Sequence, residues 1–202
     1  MPSTVSTAAD RLLDLNGVLA ELVKQGRIDQ NTAEHCLVAR RGDAATVHMH
    51  PLEYIASQQL DDQVRPGRKL DLETLTVWLA EWAEQPYLRI DPLKIDVASI
   101  TPLMSYAFAQ RHKIIAVAAN SESVTIASAQ PFIRSWEDNL AHVLRRPIKR
   151  VVANPADIQR FTTEFYRLAR SVSGASTGDQ FVSGVGNFEQ LLNLGSSDQE
   201  PD

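Results

Sequence analysis

The stretch PYLRIDPLKIDV, residues 86–97, decides the fold because it separates two kinds of sequence pattern. Before it, apolar residues recur at helical spacing; after it, short β-branched runs alternate with helical patterns. Pro86 and Pro92 interrupt a helix and favour extended geometry before them, so YLRI is predicted as an edge strand. Asp91 and Asp96 precede turns and a helix start, where carboxylates accept backbone N–H groups. The stretch is therefore interpreted as a joint.

An enzyme that uses Asp91 and Asp96 ranks last among the functional alternatives. The interleaved cations Arg89 and Lys94 more simply neutralise these carboxylates, and no candidate substrate is visible. The sequence also contains no Gly-x4-Gly-Lys-Ser/Thr loop that would cradle nucleotide phosphates. We assign no catalytic residue.

The part before the joint is predicted to be helical throughout. Residues 10–24 form a first amphipathic pattern. Asn31 and Glu34 resemble a capping box that opens a second helix. Pro51 suits the first turn of a third helix, and Asp71 caps a fourth.

The part after the joint is predicted to be a small α/β layer. A helix over residues 97–112 precedes the strands KIIAVAA and VTIASA, which form a hairpin. A helix through WEDNL, the strand IKRVVA and a final helix after Asn154-Pro155 follow. The fold class is thus α+β, with a helical subdomain at residues 1–85, an α/β domain at 86–172 and a flexible acidic linker at 173–202.

The charge is uneven along the chain. The net charge is −5, but residues 173–202 hold five acids and no Lys or Arg, so residues 1–172 are balanced. Because residues 1–172 carry no net charge, we do not expect them to bind nucleic acid or an anionic membrane surface. The sequence contains no uninterrupted run of 18 apolar residues, so we predict no membrane span. The single cysteine, Cys36, excludes an internal disulfide and is predicted to be buried; a cytoplasmic location is expected.

Three small residue groups permit two interpretations each. His48 and His50 could hold a metal, but two ligands without a third favour ordinary loop histidines, and we predict no metal site. Trp78 and Trp82, one turn apart, favour core packing over a partner-binding ridge. The third group is the basic segment, residues 145–150, with the cations Arg145, Arg146, Lys149 and Arg150. It is either a charged helix end with a guarded strand edge or a surface for an acidic partner.

Several motifs together resemble a known family. They are RIDPLKIDVASITPLMSYAFAQRHKIIAVA, VTIASAQPF, WEDNL and IKRVVANPADIQRFTTEFYRLARSV. In this order, over about residues 70–172, they resemble the N-terminal regulatory region of type II secretion and type IV pilus assembly ATPases. The resemblance implies a flexible linker to a hexameric motor that binds ATP and Mg²⁺, with no cofactor in this fragment. It also implies docking on the cytoplasmic part of an inner-membrane platform protein, peripheral to the bacterial inner membrane.

Some relatives carry a duplicated cyclic di-GMP motif, Arg-Leu-Gly-x2-Leu-Val-x2-Gly-x-Ile. Residues 22–28, LVKQGRI, match its second half, but positions 17–19 read Gly-Val-Leu in place of Arg-Leu-Gly. The resemblance therefore implies an alternative ligand site formed by Leu22, Val23, Gly26 and Ile28. Without the motif arginine, a guanine or phosphate contact loses its main donor.

The leading hypothesis is a non-catalytic docking and regulatory domain of a type II secretion ATPase. Its partner contacts are assigned to Arg145, Arg146, Lys149 and Arg150, because a field of like charges attracts an acidic surface. A cyclic di-GMP-sensing domain is the alternative.

Overall fold

The structure, a computed structural model, describes residues 10–177, with side chains described to residue 172. Eight α-helices and three β-strands lie in that range, and the α+β class predicted from the sequence is confirmed. From residue 178 on, the predicted linker lies outside the described residues. No helix in the described range is long and apolar enough to cross a membrane.

Residues 10–85, here called the helical part, contain four helices with side-chain caps. They are α1 (Leu15–Lys24), α2 (Gln30–Arg41), α3 (Pro51–Ser57) and α4 (Leu72–Trp82). Asp71 caps α4 as predicted, and its carboxylate accepts the Thr74 N–H at 2.7 Å. Pro51 occupies the first turn of α3 as predicted. The first N–H groups of a helix need such acceptors, so these caps set where each helix begins.

Two predicted helix starts were wrong. α1 begins at Leu15 and not at residue 10, because the Asp14 carboxylate accepts the Gly17 N–H at 2.7 Å. α2 is capped by Asp29, which accepts the Thr32 N–H at 2.7 Å, and not by Asn31. In both cases an aspartate directly before the helix accepts the N–H three residues further on, as a capping side chain should.

Residues 86–172, here called the sheet part, contain a three-stranded sheet in the order β1-β2-β3. The elements are α5 (Val97–Ile100), α6 (Tyr106–His112), β1 (Ile114–Ala119), β2 (Val124–Ser128), α7 (Glu137–Leu144), β3 (Ile148–Val152) and α8 (Pro155–Thr177). β1 and β2 form the predicted antiparallel hairpin, and α7 carries the chain across so that β3 runs parallel to β2. The predicted order of helices and strands from α6 to α8 is confirmed.

The single helix predicted over residues 97–112 was wrong. α5 is followed by a 3-10 turn at Thr101–Leu103, and Met104 is extended at φ −150° and ψ 159°. Ser105 then caps α6, its hydroxyl accepting the Phe108 N–H at 3.1 Å. Pro102 explains the break, because proline has no N–H to donate and its ring clashes with the preceding helical turn.

The stretch of residues 86–97 contacts both parts. The Leu88 N–H donates to the Val152 carbonyl at 2.8 Å, and the Val152 N–H donates to the Pro86 carbonyl at 2.8 Å. Tyr87 thereby forms one parallel bridge with Val152, so the predicted edge strand is reduced to a single bridge. The Tyr87 hydroxyl donates to the Glu73 carboxylate on α4. The stretch therefore ties β3 to the helical part.

Asp91 and Asp96 serve as caps, as expected of a joint. The Asp91 carboxylate accepts the Leu93 N–H at 3.1 Å, and that of Asp96 accepts the Ala98 N–H at 3.2 Å. The Lys94 ammonium lies 3.4 Å from Asp91. Each carboxylate thus accepts hydrogen bonds from the backbone of the turn that follows it.

Two buried apolar clusters form the core. One fills the helical part around Leu19, Leu52 and Trp78. The second cluster fills the sheet part and includes Ile126, Trp136 and Phe161. Val152 of β3, fully buried, packs with the helical cluster, while its neighbour Val151 packs with the sheet cluster. β3 therefore contributes side chains to both cores. The division into two domains at residue 86 stays a prediction.

Candidate functional site

The segment between β2 and α7, residues 129–136, is here called the junction loop because the helical part forms hydrogen bonds with its backbone and with the Gln130 side chain. The Leu13 N–H donates to Gln130 Oε1 at 2.9 Å, and the Arg11 N–H donates to the Phe132 carbonyl at 3.3 Å. The Asp10 carboxylate accepts the Arg134 N–H at 2.7 Å. The residues that precede α1 are therefore tied to a loop more than a hundred positions away.

Arg150 of β3 holds the same loop from the other side. Its guanidinium donates to the carbonyls of Pro131 at 2.7 Å and Ile133 at 3.0 Å, and it lies 3.4 Å from the Glu137 carboxylate. The Arg150 side chain is 6% exposed and sits over the Trp136 ring. Burial lowers its pKa, and the charge of Glu137 opposes this effect. Arg150 is thus an internal contact of the junction loop.

The other three cations of the basic segment do not join Arg150. Arg145 is exposed at the end of α7, in left-handed geometry at φ 52°. Arg146 donates to the Asn120 carbonyl in the β1–β2 loop at 2.9 Å. Lys149 is exposed on β3, at the edge of the sheet. The structure therefore leaves Arg145 and Lys149 as the open cations of the segment, and the partner-binding role of all four stays a prediction.

The burial of Arg150 had a signal in the sequence that our prediction missed. Side chains alternate along a strand, so Arg150 shares a face with Ile148 and Val152, whereas Lys149 lies on the opposite face. An arginine in line with two β-branched residues is expected to bury its stem and to find acceptors for its head. Which acceptors it finds depends on the junction loop, which comes from another part of the chain.

The predicted alternative ligand segment, residues 22–28, is largely core. Leu22 and Ile28 are buried in the helical cluster, and Val23 is half-buried. Gly26 is exposed with a positive φ of 68°, and nothing lies within 4 Å of a methyl group placed there. Between them, the Arg27 guanidinium lies 2.8 Å from the buried Asp62 carboxylate. The four named positions thus do not share one open surface, and their ligand role stays a prediction.

The two histidines of VHMHP have separate environments. His48 is exposed, whereas His50 caps α3: its Nδ1 accepts the Leu52 N–H at 3.3 Å, and Nε2 lies 3.1 Å from the Ala129 carbonyl. Burial lowers the pKa of His50 to about 4. Within residues 10–172 no three His, Cys, Asp or Glu side chains are grouped as a metal site would require. Both nitrogens of His50 are occupied by the protein itself.

The aromatic and cysteine side chains are packed as predicted. Trp78 is buried, its ring stacks on Trp82 at 5.3 Å between centroids, and its Nε1 donates to Gln25 at 2.8 Å. Trp82 also meets Phe132 of the junction loop edge-on at 5.0 Å. Cys36 is buried, which raises the pKa of its thiol. The tryptophan pair therefore packs inward, partly against the junction loop.

A family model described as the MshEN domain matches residues 83–172, which include the junction loop, the basic segment and the whole sheet. Residues 83–172, the part that matches this model, are called the MshEN domain below. The match begins close to the joint identified from the sequence and ends in α8. The MshEN domain thus contains every strand in the described residues.

A curated relative extends the likeness into the helical part. The Type IV pilus assembly ATPase TfpB of Acinetobacter baylyi is 36% identical over 191 residues, which are 94% of this chain and 32% of TfpB. The chain therefore spans about a third of the length of that relative. Together with the MshEN domain, this match confirms the predicted resemblance to the N-terminal region of secretion and pilus assembly ATPases.

Two solved structures are also similar. One, described as MshE with cdg, superposes with a TM-score of 0.51 at 16% identity and covers 76% of this chain and 99% of that one. The N-terminal domain of XpsE gives a TM-score of 0.40 at 14% identity and covers 76% of this chain and 96% of that one. The MshE structure shows that the fold is shared.

Proposed function

We propose that the chain is a non-catalytic docking and regulatory module of a secretion-type ATPase. It would hold the motor against the cytoplasmic part of an inner-membrane platform protein. The relative TfpB, named as a pilus assembly ATPase, favours a pilus system over type II secretion for this chain. Binding of ATP and Mg²⁺ and formation of the hexamer would be functions of a motor region like that of the family.

The observation that carries the docking proposal is the pair of open cations on the MshEN domain. The side chains of Arg145 and Lys149 are exposed and form no ion pair within residues 10–172. Charges of one sign at a protein surface attract an acidic partner and raise its association rate. Arg146 binds the β1–β2 loop and Arg150 is internal, so we expect these two cations to contribute less to partner binding than Arg145 and Lys149.

The test compares two double charge reversals of equal net charge. Arg145→Glu with Lys149→Glu should slow association with the purified cytoplasmic domain of the platform protein and weaken its salt dependence. Arg89→Glu with Arg167→Glu, which reverses exposed cations elsewhere in the MshEN domain, should leave both quantities near those of the parent protein. Biolayer interferometry at several salt concentrations measures both. Equal behaviour of the two variants would reject the docking surface.

A second candidate function is cyclic di-GMP sensing, favoured by the shared fold with the MshE structure described with cdg, which we take to be cyclic di-GMP. Calorimetry with cyclic di-GMP tests it directly. Saturable micromolar binding that is lost in Val23→Glu, at a half-buried position of the segment, would favour sensing over docking alone. No heat of binding in the parent protein would remove this candidate.

A further inference from the structure

A cleft of about 280 Å³ opens where the helical part meets the sheet part. We call it the junction cleft. Its walls come from the start of α3, the end of α6, the first residues of the junction loop and the first two turns of α8. The volume lies just below the roughly 300–1,000 Å³ that is usual for pockets of drug-sized ligands. A small metabolite would therefore fit it.

The cleft is hollow because small side chains line its interior. Ala109 and Ala129 are buried there, next to the buried Ile158. Besides His50, two buried polar groups lie among these apolar side chains: Thr162 is 3% exposed and Gln130 is 7% exposed. Buried polar groups are normally hydrogen-bonded, so the partners of these two decide what the cleft can bind.

Thr162 has no partner of its own. Its Oγ1 is buried and forms no hydrogen bond to any described residue. Its neighbour in sequence, Thr163, is exposed and donates from Oγ1 to the Gln159 carbonyl at 3.2 Å, as threonines in helices commonly do. A buried hydroxyl without a partner lowers stability, because it has lost water and gained nothing.

Gln130 and Lys113 add two donors without acceptors. Gln130 Oε1 accepts the Leu13 N–H, which leaves its Nε2 without a hydrogen bond inside the described range. Lys113 ends α6 at φ 51°, and its ammonium is exposed and forms no ion pair within residues 10–172. The cleft therefore presents a hydroxyl, an amide NH₂ and an ammonium.

Two further polar residues of the wall, Glu53 and His50, already have partners, whereas the side chains of His48 and Gln159 lie exposed at its rim. Glu53, the acidic residue of the wall, accepts the His50 N–H at 3.2 Å. His50 uses both ring nitrogens within the protein. Glu53 and Lys113 are the two charged residues of the wall, and neither forms an ion pair within residues 10–172. The Glu53 carboxylate accepts a backbone N–H, whereas the Lys113 ammonium has no partner in that range, so the free donors fit an anionic oxygen.

We propose that the junction cleft binds a small organic anion, a carboxylate or a phosphate monoester. The apolar interior takes its body, while Thr162, Gln130 and Lys113 donate to its oxygens. Because the walls belong to both parts, a bound anion would link α3 and the junction loop to α8. This site is separate from the docking surface on Arg145 and Lys149.

The test uses benzoate and phenyl phosphate as probes, with benzamide as the neutral counterpart of benzoate. Each is titrated into the ¹⁵N-labelled chain up to about 20 mM, where even millimolar affinities are visible. Benzoate or phenyl phosphate should shift the amide signals of Ala109, Lys113 and Gln130 with one saturable curve, and benzamide should bind at least about fivefold more weakly. Equal binding of benzamide, or no saturable shift with either anion, overturns the proposal.

Matched variants separate a ligand site from a packing defect. Thr162→Val keeps the shape and removes the hydroxyl, so it should weaken benzoate binding at least about fivefold without lowering the thermal midpoint. Thr163→Val should leave the affinity unchanged. Lys113→Gln should weaken binding, whereas Lys94→Gln, which removes a lysine paired with Asp91, should not. Unchanged affinity in Thr162→Val or in Lys113→Gln contradicts the proposal.

Discussion

The helical part and the sheet part are specified by contacts of different range. In the helical part, capping residues stand directly before α1, α2, α3 and α4, and apolar residues three and four apart form the buried faces. In the sheet part, β3 pairs with β2 through a crossover, and Arg150 reaches the junction loop. Substitutions at the long-range contacts should therefore cost more stability than substitutions at the local caps.

The largest effect is expected at Arg150. Arg150→Ala removes the charged donors to the carbonyls of Pro131 and Ile133, so the free energy of unfolding should fall by about 3 kcal/mol, since a hydrogen bond to a charged group contributes roughly 1.5–3 kcal/mol. The partly exposed Glu137 keeps Arg134 at 3.5 Å. Urea denaturation measures the loss. Lys149→Ala, one position earlier and exposed, is the control and should change stability by less than about 0.5 kcal/mol. A similar small loss in both variants would show that the junction loop does not depend on Arg150.

The next largest effect is a pH dependence of stability caused by His50, which lies between the helical part and the sheet part. Folding lowers the pKa of His50 from 6.5 to about 4, chiefly through burial, and the positive charges of Lys113 and Arg40 act in the same direction. Between these two pH values the unfolded chain binds more protons than the folded one. The contribution of neutral His50 to the free energy of unfolding is therefore fully present above pH 6.5. Up to about 3 kcal/mol of it is lost as the pH falls towards 4.

Urea denaturation of the parent protein and of His50→Asn isolates this contribution. Asparagine caps helices well, so the variant keeps a cap on α3 but has no titrating group. The difference in unfolding free energy between the two proteins should change between pH 6.5 and 4 and stay constant above that range. Parallel pH profiles would mean that His50 is not buried in its neutral form.

A smaller effect separates the true cap of α2 from the one predicted from the sequence. Asp29→Ala removes the acceptor of the Thr32 N–H and should measurably lower the thermal midpoint. Asn31→Ala changes an exposed residue inside the first turn and should cost less than about 0.5 kcal/mol. Thermal unfolding of the two variants side by side decides between the caps. The reverse ranking would restore Asn31 as the cap.

The smallest effect on stability is expected on the open surface of the MshEN domain. Arg145→Glu with Lys149→Glu alters two exposed cations without ion pairs in the described residues, so the free energy of unfolding should change by less than about 1 kcal/mol. Differential scanning calorimetry checks this. A large loss would mean that these cations stabilise the fold, and that any loss of platform binding in this variant reports unfolding.

Local signals predicted much of the fold and little of the candidate sites. Asp71, Pro51 and the hairpin strands were placed correctly because each depends on residues within a few positions. The break at Pro102 was also local and was missed because the apolar spacing continues across it. Strand alternation places Arg150 and Lys149 on opposite faces of β3, but only the packed fold decides that the junction loop covers the Arg150 side and leaves Lys149 exposed.

The sequence by itself determined the α+β order, the joint at residues 86–97 and the resemblance to secretion and pilus ATPases, because helix caps, strand runs and motifs are written in consecutive residues. Tertiary structure alone decided that Val152 joins the helical core, that Arg150 and the residues before α1 hold one loop, and that Thr162 faces a cleft without a partner. Those outcomes depend on which distant backbone groups and cavities meet a side chain, and that pairing is set only when the two parts pack together.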